Sequence, residues 1–167
     1  MPVSRRKLMT TALASAALPR AAIAQTPREI TWEDLIPPGV PYSEIIAPGE
    51  RDVVNDIWRP IFDGNATQLN PALDGAYITM PGFVIPIELS REGVTSFVLV
   101  PYVGACIHTP PPPANQLVFV TTQTPWPDDN LWQAVLVTGQ MQHDVQTTKV
   151  AKTGYVLNAD AMEAYEW

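Results

Sequence analysis

Residues 99–116 contain the side chains of this sequence that are best suited to bind a metal ion or to react. They contain the only cysteine of the chain, Cys106, and one of its two histidines, His108. In an extended backbone, side chains two positions apart point to the same face, so the thiolate and the imidazole could hold one ion. Sulfur and nitrogen donors of this kind suit zinc or copper. Four prolines at 110–113 stiffen the chain behind the pair. The pattern predicts half of a transition-metal site.

A complete metal site needs more ligands than this pair, since zinc is usually four-coordinate. His143, the second histidine, is the first candidate for a third ligand. A second copy of the chain in a homodimer could also complete the shell. Further candidates within the chain are Glu88, Asp144 and, for cuprous copper, Met80 and Met141.

Asn115 and Gln116 follow the prolines and carry amide groups that could contact a bound ligand or cofactor. Amide side chains at such a turn also commonly bond to the backbone of their own loop. The sequence leaves both roles open, ligand contact and loop closure.

Two other interpretations of Cys106 and His108 stay open. A single cysteine often fills space in a core, and a histidine before Thr-Pro can cap a turn. A reactive thiol would instead need a lowered Cys106 pKa and access for a substrate. No carboxylate neighbours the pair, and the sequence contains no phosphate loop, nucleophile elbow, His-Glu-x-x-His or dinucleotide motif. We therefore do not expect an enzyme.

Several strings of the sequence resemble one protein family. The most specific is Gly-Ala-Cys-Ile-His-Thr-Pro-Pro-Pro-Pro-Ala-Asn-Gln at 104–116, and others occur at 30–37, 73–75 and 80–88. They resemble the exported bacterial proteins of domain-of-unknown-function family 3299. The resemblance implies an exported protein without established catalysis, with Cys-x-His as a ligand pair and an envelope transporter or membrane-complex subunit as partner. Cys106, His108, Asn115 and Gln116 lie on the family string, whereas His143 matches no motif of the family.

Residues 1–24 have the pattern of a removable export signal. Arg5, Arg6 and Lys7 precede a mildly apolar run of eleven residues, and Ala22-Ile23-Ala24 matches the small-x-small cleavage pattern. The paired arginines resemble a twin-arginine (Tat) signal, and an ordinary secretory signal is the alternative. A membrane span takes about 20 apolar residues, so this run is too short. We expect cleavage after Ala24, a periplasmic protein and no membrane span in the mature chain.

The net charge limits the partners. Removal of residues 1–24 takes away four basic residues and no acidic one, which leaves 6 basic and 17 acidic residues and a net charge of −11. Such a chain repels the phosphates of nucleic acids and of anionic lipids. A single cysteine excludes an internal disulfide, and a hydrophobic content of 46% excludes a disordered chain.

The pattern of the mature chain predicts a mainly β fold. Its prolines favour short strands and stiff loops over long helices. Residues 25–70 are expected to form an N-terminal arm with short helices, namely a turn at 31–34 and a helix over 53–61. From residue 71 to 167 the hydrophobic period is two, with strands predicted at 83–89, 96–100, 116–121, 131–141 and 153–157. Pro86 indicates an edge or a bulge, and residues 158–167 a closing helical turn.

Five short strands fit a small OB-like Greek-key barrel better than a sandwich, which needs about seven. The combined hypothesis is a periplasmic small-ligand binding module that handles zinc or copper through Cys106 and His108, in association with an envelope transport system. A structural or interaction subunit with a buried Cys106 is the alternative. A thiol enzyme using Cys106 and His108 is the second alternative.

Overall fold

The computed structural model describes residues 25–53, 57–105, 111–127 and 133–166. Its strands are β1 (Arg28–Glu29), β2 (Ile45–Asp52), β3 (Ile57–Phe62), β4 (Tyr77–Ser90), β5 (Gly93–Val100), β6 (Val118–Trp126), β7 (Ala134–Thr147) and β8 (Lys152–Ala164). Its helical segments are short 3₁₀ turns at Glu33–Leu35, Gly64–Thr67, Pro71–Leu73 and Ala114–Gln116. Within the described ranges, none of these helices has the length and hydrophobicity that crossing a membrane would require.

Five strands close into a barrel. β4 pairs with β5, β5 with β6, β6 with β8, β8 with β7, and β7 returns to β4. The β6–β8 pair is parallel, and the other four pairs are antiparallel. β4 closes the ring because it is 14 residues long, so that its part before Phe83 pairs with β7 and its part after Phe83 pairs with β5. The prediction of a five-stranded barrel is confirmed.

Pro86 lies in β4 next to a shift in register between Pro86 and Glu88. A proline cannot donate to the sheet, and strands accommodate it at edges or bulges. The predicted irregularity is therefore confirmed, and such a bulge helps the long strand to bend around the barrel.

Both faces of β5 are buried. Val94, Phe97 and Leu99 point into the barrel core. Val98 and Val100 belong to a second, smaller cluster on the outer face, together with Ile85, Ala105 and Leu117. Val150 and Ala151 pack against this outer cluster. The β5–β6 connection and the β7–β8 loop are thereby held beside each other outside the barrel.

The N-terminal arm shares the barrel core. Ile30, Trp32 and Leu35 are buried in the same cluster as the inward side chains of the barrel strands. Where the sequence predicted a helical turn at 31–34, the structure has a 3₁₀ turn at Glu33–Leu35. The Oδ2 of Asp34 accepts hydrogen bonds from the backbone nitrogen of Thr31 at 2.8 Å and from its Oγ1 at 3.1 Å. β1 adds to the barrel in parallel alongside β4.

The predicted helix over 53–61 is wrong. Ile57–Phe62 is β3, which pairs antiparallel with β2 as a separate two-stranded sheet. From Trp58 to Phe62 the side chains alternate between half-buried and exposed, which is the period of a strand. Pro60 explains the outcome, because a proline within a helix lacks the N–H and clashes with the preceding turn.

The predicted helical turn at 158–167 is also wrong for the residues described. β8 continues to Ala164, which pairs with Val135 of β7. Ala, Met and Glu in this stretch favour a helix locally, but pairing along β7 supplies the backbone partners that a helix would otherwise provide.

Candidate ligand-binding cavity

A cavity of about 410 Å³ lies beside the barrel, between the β2–β3 hairpin and the outer loops. Three walls enclose it: β3 with the turn that follows, the segment before β6, and the end of β7 with the start of β8. We call it the hairpin cavity. Its lining residues are Arg59, Pro60, Phe62, Asp63, Ala66, Thr67, Pro111, Pro112, Ala114, Leu117, Thr147, Thr148, Val150, Ala151 and Lys152.

Asp63 fixes the first wall. Its carboxylate accepts from Ser43 Oγ at 2.8 Å and from the backbone nitrogens of Asn65 at 2.9 Å and Glu44 at 3.4 Å. The hydrogen bond from Ser43 is the largest cause that holds the pKa of Asp63 below its usual value, and the backbone donors add to it. The carboxylate thus caps the turn Gly64–Thr67 and ties the base of the hairpin to residues 43–44.

The second wall is held by two amides. Asn115 is buried and donates through Nδ2 to the backbone oxygens of Asn65 at 3.0 Å and Gln68 at 3.1 Å. Gln116 is buried beside it and donates through Nε2 to the backbone oxygen of Trp32 at 2.9 Å. Neither side chain is among those lining the cavity. Both amide nitrogens therefore make the loop-closing bonds that were one of the two roles expected from the sequence.

The third wall is a closed loop between β7 and β8. Thr148 Oγ1 donates to the backbone oxygen of Ala151 at 2.7 Å and accepts from the backbone nitrogens of Ala151 at 3.0 Å and Val150 at 3.2 Å. The backbone nitrogen of Thr148 also donates to Ala151 O at 2.9 Å. These bonds hold the loop in one conformation.

Cys106 and His108 lie outside the described residues. On one side they follow Ala105, which is fully buried. On the other side the chain returns at Pro111 and Pro112, both of which line the hairpin cavity. The segment that the sequence singled out is therefore continuous with one wall of the cavity.

His143 lies on β7 and does not line the hairpin cavity. Its Nε2 is 2.8 Å from the backbone oxygen of Asn70 and must donate there, since a carbonyl only accepts. Its ring packs edge-on against Tyr155, with 5.4 Å between centroids. Only Nδ1 is left to bind a metal, so the structure assigns this histidine a contact between β7 and the arm.

The other candidate ligands are dispersed. Met80 and Met141 are fully buried in the barrel core. Glu88 accepts from Ser96 Oγ at 3.1 Å, and Asp144 accepts from Gln146 Nε2 at 2.6 Å. In the part of the chain that the structure describes, no three His, Cys, Asp or Glu residues meet in a group able to hold a metal.

Sequence reasoning missed two cations of the cavity, Arg59 and Lys152. Arg59 stands in the stretch predicted as a helix, and Lys152 opens a strand whose start was predicted one residue later. The mature chain has only 6 basic residues. Their small number was the one signal in the sequence that could have drawn attention to Arg59 and Lys152.

The model of a family described as a protein of unknown function, DUF3299, matches residues 32–164. The chain is also similar to a solved structure, the crystal structure of a DUF3299 family protein from Pseudomonas aeruginosa PAO1. The two are 34% identical with a TM-score of 0.67, and the match covers 86% of this chain and 99% of that chain. No curated protein matches the chain.

Proposed function

The chain belongs to the DUF3299 family, and from this premise we propose that it is an exported, periplasmic binding module that holds a small ligand in the hairpin cavity. The observation that carries the proposal is the cavity itself. Its volume of about 410 Å³ falls within the range of small-molecule sites, roughly 300–1,000 Å³. Its walls are fixed by the hydrogen bonds of Asp63, Asn115 and Thr148.

We assign the barrel to the OB type. Numbered from one to five along the chain, its strands follow the order 1-2-3-5-4 and close back on 1, with a parallel pair between 3 and 5. OB barrels bind their ligands with strands 2 and 3 and with the loops between strands 1 and 2 and between strands 4 and 5. The β7–β8 loop is the 4–5 loop in this numbering and lines the hairpin cavity.

A cavity-filling variant tests the binding function. Ala151 lines the cavity, so Ala151→Phe places a ring in the ligand's space. Ala161→Phe is the matched control, because Ala161 is exposed on β8. Native mass spectrometry of the mature chain purified from the periplasm should show a retained small molecule in the wild type and in the control, and a bare chain for Ala151→Phe. Bare mass for all three, with unchanged melting temperatures, would contradict the proposal.

We propose the twin-arginine route for export, on the paired Arg5 and Arg6. Replacing both with lysine keeps the charge but removes the guanidinium groups that a twin-arginine signal requires. We expect the variant to stay in the cytoplasm with its signal uncleaved. Periplasmic accumulation at the wild-type level would assign the signal to the ordinary secretory route.

We propose zinc or copper, held by Cys106 and His108, as a second component of the ligand. Supporting it, the chain returns from this pair directly into the cavity wall at Pro111. Because no third ligand group is assembled among the described residues, such a site would use solvent, the bound ligand or a second copy of the chain.

The metal component has its own test. Dialysed mature protein should take up one zinc or cuprous ion per chain, or one per two chains if the site is shared. Cys106→Ser should abolish the uptake, whereas His143→Gln should retain it because His143 Nε2 already donates to Asn70. No uptake by the wild type would refute the metal component and leave the cavity function standing.

A second candidate function is an interaction subunit. Ile46, Val53 and Ile61 on or beside the β2–β3 hairpin are 66%, 82% and 51% exposed. Three large apolar side chains exposed on one small element give it a surface suited to a protein contact. A second copy of the chain or an envelope transporter subunit would cover them.

Sedimentation velocity tests the interaction function. If the hairpin makes a homodimer, Ile46→Ser combined with Ile61→Ser will give a monomer. Leu89→Ser, which removes a side chain 57% exposed on β4, will leave the dimer intact. A wild type that is monomeric at all concentrations leaves only the transporter as the partner of this surface.

A further inference from the structure

We propose that the hairpin cavity takes a small amphiphile with a single anionic group, such as a medium-chain carboxylic acid. The carboxylate would be met by Arg59 and Lys152, and the hydrocarbon body would pack on the apolar residues of the lining. This inference rests on the proposed binding function and names its ligand class.

The cavity lining has more basic than acidic residues, whereas the chain as a whole has more acidic than basic residues. The mature chain carries 17 acidic and 6 basic residues, yet the lining contains two basic residues, Arg59 and Lys152, and one acidic residue, Asp63. A third basic residue, Lys149, stands in the loop between the lining residues Thr148 and Val150. The cavity is therefore locally positive on a strongly negative protein, which favours an anion entering it.

The acidic residue of the lining keeps its charge, because hydrogen bonds lower the pKa of Asp63, but its oxygens are occupied by its own surroundings. Asp63 accepts from Ser43 Oγ and from the backbone nitrogens of Glu44 and Asn65, and its Oδ2 also lies 3.4 Å from Asn65 Nδ2. With its oxygens occupied in this way, Asp63 is not available to pair with the cations of the cavity.

The two cations are available to a ligand. Neither Arg59 nor Lys152 has an acidic partner within 4.0 Å among residues 25–53, 57–105, 111–127 and 133–166. Glu50 stands opposite Arg59 in the β2–β3 register, but the two side chains form no ion pair. Arg59 and Lys152 belong to different strands, so an anion between them would join the hairpin to the barrel.

The rest of the wall suits a hydrocarbon. Phe62, Pro112, Leu117 and Val150 line it. A volume of about 410 Å³ lies towards the lower end of the range of small-molecule sites, roughly 300–1,000 Å³, and suits a small amphiphile. Decanoate, with a ten-carbon chain and one carboxylate, represents this class of ligand.

Calorimetric titration of the full mature chain with three ten-carbon probes, each below its micelle concentration, separates the contributions of head and tail. Decanoate should bind about tenfold or more tightly than decanol, because a charge-assisted hydrogen bond contributes more than a neutral one. Decyltrimethylammonium should not bind. Sodium acetate should bind too weakly to detect, since it lacks the apolar body.

Variants then assign the anion contact. Arg59→Gln and Lys152→Gln should each weaken decanoate binding by about tenfold while decanol binding changes little. Arg91→Gln, in the β4–β5 turn outside the cavity, is the matched control and should bind decanoate like the wild type.

Each other outcome has a distinct meaning. Equal binding of decanoate and decanol, or a preference for the ammonium probe, would overturn the anion assignment but leave a small-ligand cavity. If no probe binds while the purified chain still carries a small molecule that Ala151→Phe lacks, the amphiphile class is wrong and the binding function stands. If no probe binds and nothing is retained, both proposals fail.

Discussion

At the scale of single residues, Tyr155 connects parts of the chain that are far apart in sequence, and no motif in the sequence predicted this role. Its hydroxyl on β8 accepts from the backbone nitrogen of Asn70 at 2.7 Å and donates to the backbone oxygen of Leu35 at 2.5 Å. The ring is fully buried and contacts His143. One phenol thus links the barrel to two turns of the arm.

Tyr155→Phe should therefore destabilise the protein by about 1–3 kcal/mol, because it leaves a buried N–H and a buried carbonyl without their partner. Tyr77→Phe is the control, since the half-buried Tyr77 hydroxyl has no hydrogen bond to any described residue. The control should change the free energy of unfolding by no more than about 0.5 kcal/mol. Urea unfolding at neutral pH measures both values, and equal effects would contradict the assignment.

The same residue gives an alkaline pH dependence. Burial raises the pKa of Tyr155 to about 12, whereas an unfolded tyrosine titrates near 10. The folded state favours the neutral phenol, so this stabilisation is complete below pH 10 and is lost as the pH rises from 10 towards 12. The stability difference between wild type and Tyr155→Phe should shrink over that interval. A difference that stays constant from pH 8 to 11 would show that Tyr155 does not titrate with the expected shift.

Asp63 gives the opposite pH dependence. Hydrogen bonds, first of all from Ser43, lower its pKa below the usual value of 3.8. Its contribution to stability is therefore present above pH 3.8 and is lost as the pH falls through the lower folded pKa. Ser43→Ala should move the pKa upward towards 3.8, as measured by carboxyl carbon NMR. Ser90→Ala is the control, because Ser90 Oγ donates to Gly93 O instead. An Asp63 pKa unaffected by Ser43→Ala would contradict the assigned cause.

At the scale of residues, rarity was the signal by which the sequence singled out candidates for chemistry. Cys106 and His108 stand out in a chain with one cysteine and two histidines. Asn115 and Gln116 could be named but not given a role, because their acceptors lie far along the chain: Asn65 is 50 positions from Asn115, and Trp32 is 84 from Gln116. Sequence position does not reveal such partners.

At the scale of elements, prediction worked where one period dominated. β4 alternates clearly enough to be recognised, whereas β5 is a short apolar run that follows a turn, and both were predicted. The stretch over 53–61 fits a helical spacing and a strand at once, and only Pro60 argues for the strand. Residues from Asn158 to Ala164 have helical propensity and become a strand through pairing with β7, an influence that local sequence does not contain.

The β2–β3 hairpin depends on Gly49. Its backbone has a φ of +62°, and an added Cβ would lie 1.9 Å from the backbone oxygen of Arg59. Trp58 Nε1 donates to the backbone oxygen of the neighbouring Pro48. Gly49 lies in β2 where the register with β3 shifts and the two backbones approach closely, and only glycine fits at this point.

Gly49→Ala should open the hairpin without unfolding the barrel. A left-handed backbone costs an alanine about 1–2 kcal/mol, and the clash with Arg59 adds to that cost, so amide exchange in β2 and β3 should accelerate about tenfold or more. Exchange in β4 to β8 should stay unchanged. Gly64→Ala is the control, because nothing lies within 4 Å of its added Cβ. Faster exchange throughout the barrel would show that the hairpin is not a separate unit of stability.

At the scale of the whole molecule, the number of barrel strands could be predicted from the sequence, but the pairing of those strands could not. The β4–β7 pair that closes the barrel brings Tyr77 beside Gln140, and the parallel β6–β8 pair brings Val118 beside Tyr155. Neither connection leaves a local signal, because both depend on where distant strands meet. The cavity depends on the same long-range placement, since its walls come from β3, the β5–β6 connection and the β7–β8 loop.

The first part of the arm, before the β2–β3 hairpin, shares its hydrophobic core with the barrel. Ile30, Trp32 and Leu35 fill the barrel core, and residues of the arm supply the backbone groups that Tyr155 and Gln116 bind. Burying three large apolar side chains contributes about 5–9 kcal/mol. That is comparable to the whole stability of a domain of this size, about 5–15 kcal/mol.

A chain of residues 71–166 should therefore fail to fold cooperatively on its own, with a broad urea transition and strong binding of a hydrophobic dye. A chain of residues 30–166 is the matched control. It loses only β1 and the exposed ion pair between Arg28 and Asp34, which are 3.9 Å apart, and it should keep a sharp transition near that of residues 25–166. A sharp transition for residues 71–166, with the dye excluded, would instead show that the barrel completes its core without the arm.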